Sequence, residues 1–220
     1  NAYVRPEDRS HTTISYKAGI LEEMRTRVEC RAFLRVYDGR MWYYASGADL
    51  ENLQKTLDGL YDAATPNAQI LDDQVVRLFE RNKDTLMCFA DCSVRDIPAK
   101  EKQNLLLSYL PLLSEDSCVS MPQGTYLDRN SLFHFQSSLG ADITYDYQTC
   151  GLSFYCDMTE GEKKFSGHWQ KGCTHFDELK GLDDEIRSAM TEQTAFMRNS
   201  VPVVSGRYPV VLSPEASGVF

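Results

Sequence analysis

Ala32-Phe33-Leu34-Arg35-Val36-Tyr37-Asp38-Gly39-Arg40-Met41-Trp42-Tyr43-Tyr44-Ala45 has the pattern of a β-hairpin. Ala32 to Tyr37 is predicted as a strand, because β-branched and aromatic side chains fit a pleated surface. Asp38-Gly39 is the strongest short hairpin signal in the chain, since both central residues can take positive φ. Met41 to Ala45 forms the return strand, and its aromatic density predicts cover on both faces, one of them by a helix. The next segment supplies that helix. Leu50, Leu53, Leu57, Leu60, Tyr61 and Ala64 recur at three- and four-residue steps and make one apolar stripe. Asp49 is the expected N-cap and Pro66 ends the helix. Its expected role is packing on a sheet.

Upstream, Thr12, Ile14 and Tyr16 alternate, Lys17-Ala18-Gly19 turns, and a strand runs from Ile20 to Glu29, separate from the one beginning at Ala32. Downstream, Gln74 to Arg81 reads as a helix and Thr85 to Ala90 as a strand. Ile97-Pro98 opens a further helix with the stripe Leu105, Leu106, Tyr109, Leu110 and Leu113, broken or kinked by Pro111. A second β region follows, with segments at 116–128, 131–138, 141–147, 149–158 and 162–171. Between them the turn signals are Asp128-Arg129-Asn130, Gly140-Ala141-Asp142, Gln148 and Glu160-Gly161. A long helix from Phe176 to Asn199 closes this part, with Phe176, Leu179, Leu182, Ile186, Ala189, Met190, Phe196 and Met197 as its core stripe. Strands followed by helices, without βαβ alternation, predict an α+β fold. Its sheets are largely antiparallel, in two β-meander regions, with helices packed on one face.

The last fifteen residues, Gly206 to Phe220, read as a new beginning. Tyr208 to Leu212 is an apolar run of strand type, and Ser213-Pro214-Glu215 carries a cap, a first-turn proline and an acidic first turn. One helical turn with no stop signal is too short to stand alone. The expectation is a domain over 1–200, the start of a second over 201–220, and a native protein that continues past both ends.

Of the 220 residues, 42% are hydrophobic and 11% aromatic, enough for a sizeable core. No apolar run approaches the roughly 20 residues that cross a bilayer, so no membrane contact is expected. A net charge of −9 argues against direct nucleic-acid binding, which needs a positive footprint. Arg25, Arg27, Arg31 and Arg35 alternate along strand sequence with Glu29, as on a solvated sheet face. The seven cysteines (Cys30, Cys88, Cys92, Cys118, Cys150, Cys156, Cys173) are odd in number and irregularly spaced. They fit a reduced, cytoplasmic protein with small buried thiols, not a disulfide scaffold or a zinc ribbon.

Chemistry is sparse. No two of His11, His134, His168 and His175 have the i, i+4 spacing of a helical zinc site. His134 alternates with Phe133 and Phe135 and shares its face with Leu132 and Gln136. His168 and His175 flank Cys173 without a standard metal spacing. Ser138-Leu139-Gly140 reads as a turn, Asp183-Asp184-Glu185 as an exposed charge run, and no nucleophile elbow, P-loop or dinucleotide fingerprint is present. No catalytic, metal-ligating or cofactor-binding residue is therefore assigned within 1–220.

Family pattern adds what chemistry does not. Gly206-x-Tyr208-Pro209-Val210-Val211-Leu212-x-Pro214-x-Ala216-x-Gly218-Val219-Phe220 resembles the TldD branch of the TldD/PmbA family just ahead of its metal site. In that branch a glycine and two apolar residues lead almost directly into a His-Glu-x-x-x-His motif. The hairpin Ala32–Ala45 is similar to the family's "G-x-R-x-x-x-D-G-x-x-G-x-A" double strand, with Ala32 as the small residue and Tyr44 before Ala45. The helix with Leu50, Leu53 and Ala63-Ala64 falls where the family has one. Ser138-Leu139-Gly140 is similar to its "N-S-x-G" turn, with Ser137 in place of Asn. The family's usual first helix is missing or short before Tyr3.

The resemblance implies the N-terminal domain of a zinc metallopeptidase acting on unfolded or extended peptides, a family first described as modulators of DNA gyrase. It implies a domain of substrate enclosure and subunit pairing, with a PmbA-type subunit or a second copy as dimer partner. The zinc, two His ligands and a Glu general base would belong to the parent protein beyond residue 220. The fragment itself is expected to be inactive. Two alternatives stand: the same domain of a non-catalytic PmbA-type partner, and an unrelated α+β binding domain. A His-Glu pair within a few residues after Phe220 separates the zinc peptidase from the PmbA-type partner, and parallel βαβ units or a ligand pocket lined with polar groups would favour the unrelated domain.

Overall fold

The computed structural model describes residues 1–219; Phe220, the last residue of the family-like terminal stretch, lies outside the described residues. Three strands open the chain: β1 (Ala2–Lys17), β2 (Ile20–Tyr37) and β3 (Trp42–Gly47). Helices α1 (Leu53–Ala63) and α2 (Gln74–Arg77) lead to β4 (Lys83–Leu86), and α3 (Ala99–Tyr109) precedes the long strands β5 (Val119–Ser137), β6 (Asp142–Glu160) and β7 (Lys163–Cys173). Helices α4 (Asp183–Asn199) and α5 (Pro214–Ser217) follow. All seven strands join one sheet in the order β3-β2-β1-β5-β6-β4, with β7 also on β6.

The two meanders are thus halves of one sheet, welded by antiparallel pairing of β1 with β5 from Tyr3↔Ser137 to Lys17↔Gln123. Every pairing is antiparallel except β4 with β6, which runs parallel from Lys83↔Asp142 to Leu86↔Tyr145. The turns at Ala18-Gly19, Gly39, Gly140 and Gly161 fall where expected, each with positive φ. In the hairpin, only Gly39 of the Asp38-Gly39 pair takes positive φ. Asp38 instead turns its carboxylate inward and accepts from Arg40 N, Met41 N, Thr65 N and the Tyr43 hydroxyl. It ties the hairpin to the end of α1. Those backbone donors hold its carboxyl at about 2.

Several strand boundaries differ from expectation. β2 runs unbroken past Cys30, and the supposed turns at Asp128-Arg129-Asn130 and Gln148 lie in mid-strand. The polar residues that imitate turns there are buried and satisfied inside the fold. Asp128 accepts from Thr12 N at 3.0 Å and from the Tyr126 hydroxyl at 2.8 Å, and pairs with Lys102 of α3 at 2.5 Å. Gln148 accepts from Val94 N and Asn130 Nδ2 and donates to the carbonyls of Cys92 and Thr174. A polar residue so fully paired does not need solvent, so it marks no turn.

The core lies on one face of the sheet. Ile14, Tyr126, Leu152, Phe154, Cys156 and Met158 point there and are almost fully sealed. Each large side chain so buried contributes about 1.5–3 kcal/mol. Leu106 and Tyr109 of α3 and Ile186, Met190, Thr194 and Met197 of α4 cover them. α3 and the turn after it approach β5 so closely that a Cβ on Gly124 would meet Leu106 Cδ1 at 3.1 Å and Leu110 Cδ2 at 2.6 Å. At the other end α1 covers Ala32, Leu34 and Val36, which the register puts on the same face.

The helices also differ in detail. α1 begins at Leu53 with Asn52 as N-cap, while Asp49 accepts from the Asn52 amide one turn earlier. α2 stops at Arg77. Pro111 converts the end of α3 into a 3-10 turn over Leu110–Ser114. The helix expected from Phe176 is split: a 3-10 turn, Phe176–Leu179, is followed by Gly181 with φ +70° before α4 opens. The Tyr109 hydroxyl fills the gap, donating to Leu179 O and accepting from Leu182 N. Phe196, expected in the core stripe, is 59% exposed, and Thr194 holds that place.

Candidate functional site

The four histidines do not converge. His134 lies on the opposite face from Phe133 and Phe135, as the alternation requires, and its Nε2 meets Asp142 Oδ1 at 2.6 Å. His168 stacks on Tyr155 across the β6–β7 pair, and His175 caps the 3-10 turn at Phe176. Cys173 lies between them in sequence, but its sulfur stands 3.5 Å from Cys150 Sγ with both thiols free. Among the described residues no group of three or more His, Cys, Asp or Glu side chains is placed to hold a metal. The donor set that the resemblance implies for zinc is not supplied by them.

Cys118, Cys150 and Cys156 are buried thiols, as expected, and Cys173 is half-buried; Cys30, Cys88 and Cys92 are exposed. Burial pushes the Cys156 thiol up to about 11, and raises Cys118 and Cys150 as well. Such thiols stay protonated and poorly nucleophilic. Ser138, read only as part of a turn, fastens the first strand: its hydroxyl accepts from Ala2 N and donates to Asn1 Oδ1. Asp183, Asp184 and Glu185 form the first turn of α4, where Glu185 pairs with Lys171 and Asp184 with Arg187.

What remains exposed is backbone. β7 is an edge strand, but α4 closes it: the Gln193 amide accepts from His168 N and donates to His168 O, both at 2.8 Å. One side chain there does what a neighbouring strand would do. β2 has no such cover. β3 pairs only with Ala32–Tyr37, so Ile20 to Arg31 is bonded to β1 alone. That free stretch spans about 40 Å at the usual strand rise, and Ile20, Leu21, Met24 and Val28 are exposed along it. Its other side chains are mostly charged, with Arg25–Glu23 and Arg31–Glu29 pairs along the strand. Edge charges of this kind discourage uncontrolled pairing while leaving the backbone donors and acceptors accessible.

The chain's last segment is also exposed. Tyr208–Leu212 does not form the expected strand; it is irregular, with Val210 and Val211 in solvent. A strand needs a neighbour for its amides, and among the described residues none is paired with it. The helix start is as expected. Pro214 opens α5, and the Ser213 hydroxyl accepts from Ala216 N at 3.2 Å.

Residues 2–64 match the family model described as PmbA/TldA metallopeptidase domain 1. A metalloprotease of Methanocaldococcus jannaschii is 20% identical over 213 residues, covering 94% of this chain and 47% of that protein. Among solved structures, a protein described as a modulator of DNA gyrase from Thermotoga maritima superposes with a TM-score of 0.67 at 18% identity, over 93% of this chain and 46% of that one. A second so described, from Bacteroides thetaiotaomicron, gives 0.68 at 17%, over 86% and 45%. TldE from Thermococcus kodakarensis gives 0.67 at 10%, over 92% and 46%. The chain therefore spans about half the length of the relatives it matches. By sequence at its N-terminus and by fold over most of its length, it is similar to TldD/PmbA proteins, as its motifs implied.

Proposed function

We propose that this chain is the N-terminal domain, over 1–200, of a TldD-type zinc metallopeptidase, with 201–220 leading into the metal-bearing domain. It would help enclose an unfolded or extended peptide and pair with a second subunit, of PmbA type or its own kind, in the cytoplasm. The observation that carries this reading is the match of residues 2–64 to the first metallopeptidase domain of the family. The uncovered edge of β2 supports the substrate class, because an extended peptide can add to it as a strand and be held by main-chain hydrogen bonds whatever its sequence. Among the described residues no helix is long and apolar enough to cross a membrane. The chemistry would be a hydrolysis, for which a bound metal would supply polarisation of the scissile carbonyl and activation of water. No residue of 1–220 is given a part in that step.

The likeness to TldE keeps the second reading in play, a non-catalytic PmbA-type subunit with the same enclosing role. The test is hydrolysis of an unfolded polypeptide by the full-length parent, alone and with a PmbA-type partner. Activity of the parent that is lost to a chelator and restored by zinc supports the first reading. Activity that never arises from the parent alone, and needs a partner's metal site, supports the second.

A further inference from the structure

We infer that the sheet face turned away from α1, α3 and α4 carries a recognition site for acidic side chains of an extended peptide, built around Arg5 and Arg35. The register places Arg5, Arg9, Arg25, Arg27, Arg31 and Arg35 on that face of β1 and β2, against Glu7, Glu23 and Glu29. This surface is positive in a chain whose net charge is −9. Four of the six arginines have a glutamate neighbour: Arg9 with Glu7, Arg25 with Glu23, and Arg27 and Arg31 with Glu29. Among the described residues, Arg5 and Arg35 have no carboxylate partner.

These two stand where the face turns aromatic. The Arg35 guanidinium carbon lies 4.0 Å from the Trp42 ring centre and 5.9 Å from that of Phe33. The Arg5 guanidinium carbon lies 6.0 Å from the same Phe33 ring centre and 5.3 Å from that of Phe133. Arg35 also donates to the Tyr3 hydroxyl at 2.9 Å. Phe79 stacks on the far side of the cluster against Trp42. The Nε atoms of Arg5 and Arg35 are buried without a hydrogen-bond partner. Each fork is therefore oriented and partly stripped of water before anything binds, which favours bidentate capture of a carboxylate.

The spacing suggests the shape of the ligand. Arg5 faces Phe33 and Arg35 faces Tyr3, so the two arginines are diagonal neighbours across β1 and β2, about 7–8 Å apart. Alternate side chains of an extended peptide repeat at about 7 Å, so acidic residues at i and i+2 reach one arginine each. The glutamates on the same face and the acidic chain disfavour nucleic acid as the occupant. This inference takes the class of partner, a peptide, from the function proposed above, but requires no catalytic step.

The test is fluorescence anisotropy of a labelled ten-residue peptide with alternating Glu and Ser, against the same peptide with Gln for Glu. The expected result is binding of the Glu peptide that weakens with salt, at least about tenfold weaker for the Gln peptide and for R5Q/R35Q, since each loses the charge-assisted hydrogen bonds between carboxylate and guanidinium. R35K, which keeps the charge and loses the fork, should fall between. Circular dichroism establishes that each variant is folded, and the single variant R5Q serves if the double variant is not. The inference is overturned by equal binding of the Gln peptide, by unchanged affinity in a folded arginine variant, or by no binding of the Glu peptide. A single-stranded oligonucleotide binding more tightly, or arginine variants that only dissociate a dimer of this chain, overturns it too. Peptidase activity of the parent is scored separately: activity without patch binding sinks this inference and leaves the proposed function standing.

Discussion

The side-chain amide of Gln193 on α4 forms a closed pair of hydrogen bonds with the backbone of His168 on β7, each 2.8 Å long. An edge strand is thereby finished by one residue from a helix, and β2 is left with the long open edge of the sheet. Replacing Gln193 with Ala should cost about 1–3 kcal/mol, because the His168 amide and carbonyl lose their partner. It should also raise self-association, since a second free edge appears. Urea titration reads the first effect, and light scattering over rising concentration reads the second. Unchanged stability would mean that water replaces the amide at no cost.

Lys102 and Asp128 form an ion pair with both side chains nearly sealed from solvent, at 3% and 2% exposure. Lys102→Ala leaves the carboxylate buried beside the Tyr126 hydroxyl and Thr12, and should destabilise the chain by about 3–5 kcal/mol. Lys102→Met combined with Asp128→Leu should recover much of that loss, because removing both charges removes the uncompensated one. Chemical denaturation of the single and double variants checks the difference.

Gly124 is where α3 and the turn after it touch the sheet. A Cβ there would lie 2.6 Å from Leu110 Cδ2 and 3.0 Å from Phe154. Gly124→Ala should therefore lower stability by about 1–3 kcal/mol through overpacking, whereas Gly172→Ala on β7, with open space at that position, should stay within about 0.5 kcal/mol, as ordinary surface substitutions do. The pair is compared by thermal unfolding.

Asp38 predicts part of the acid response. Its carboxyl sits at about 2 in the folded chain, held down chiefly by the Met41 and Arg40 amides, against ~3.9 for an unperturbed Asp. The unfolded state binds the proton first, so Asp38 contributes stability that is fully present above about pH 4 and is lost as pH falls toward 2. Asp38→Asn should flatten stability against pH in that window and leave the slope near neutrality unchanged. Denaturation midpoints from pH 2 to pH 7 test this.

For metal, the expected result is far less than one tightly held zinc per chain after zinc loading and dialysis, and no peptidase activity with or without zinc. Elemental analysis of the dialysed protein is the check. Stoichiometric zinc retained by residues 1–220, or zinc-dependent turnover, would move the chemistry into this domain and contradict the proposal that no residue of 1–220 takes part in it.

Local signals made much of the architecture legible. The hairpin around Gly39, the stripe of α1, the kink at Pro111 and the cap at Ser213 each depend on residues within a few positions of one another. Misreadings came where a polar side chain has a distant partner. Asp128, Asn130 and Gln148 look like turn residues, but Thr12, Lys102, Val94 and Thr174 satisfy the cluster from far along the chain. Tyr208–Leu212 erred the other way: its apolar pattern suits a strand, but pairing needs a neighbour that composition does not supply. The split before α4 was signalled locally, by Lys180-Gly181, and only the hydroxyl of Tyr109 explains how it is stabilised.

The sequence by itself determined the α+β class, the antiparallel hairpins, the helices on one face and the likeness to TldD/PmbA proteins, because periodicity and turn chemistry act over a few residues. Tertiary structure decided that two meanders make one sheet, that Gln193 closes β7 while β2 stays open, and that Arg5 and Arg35 flank Phe33 without an acid. Those outcomes rest on contacts between residues far apart in the chain. Which strand lies beside which is fixed when the whole core packs, and no local pattern carries that information.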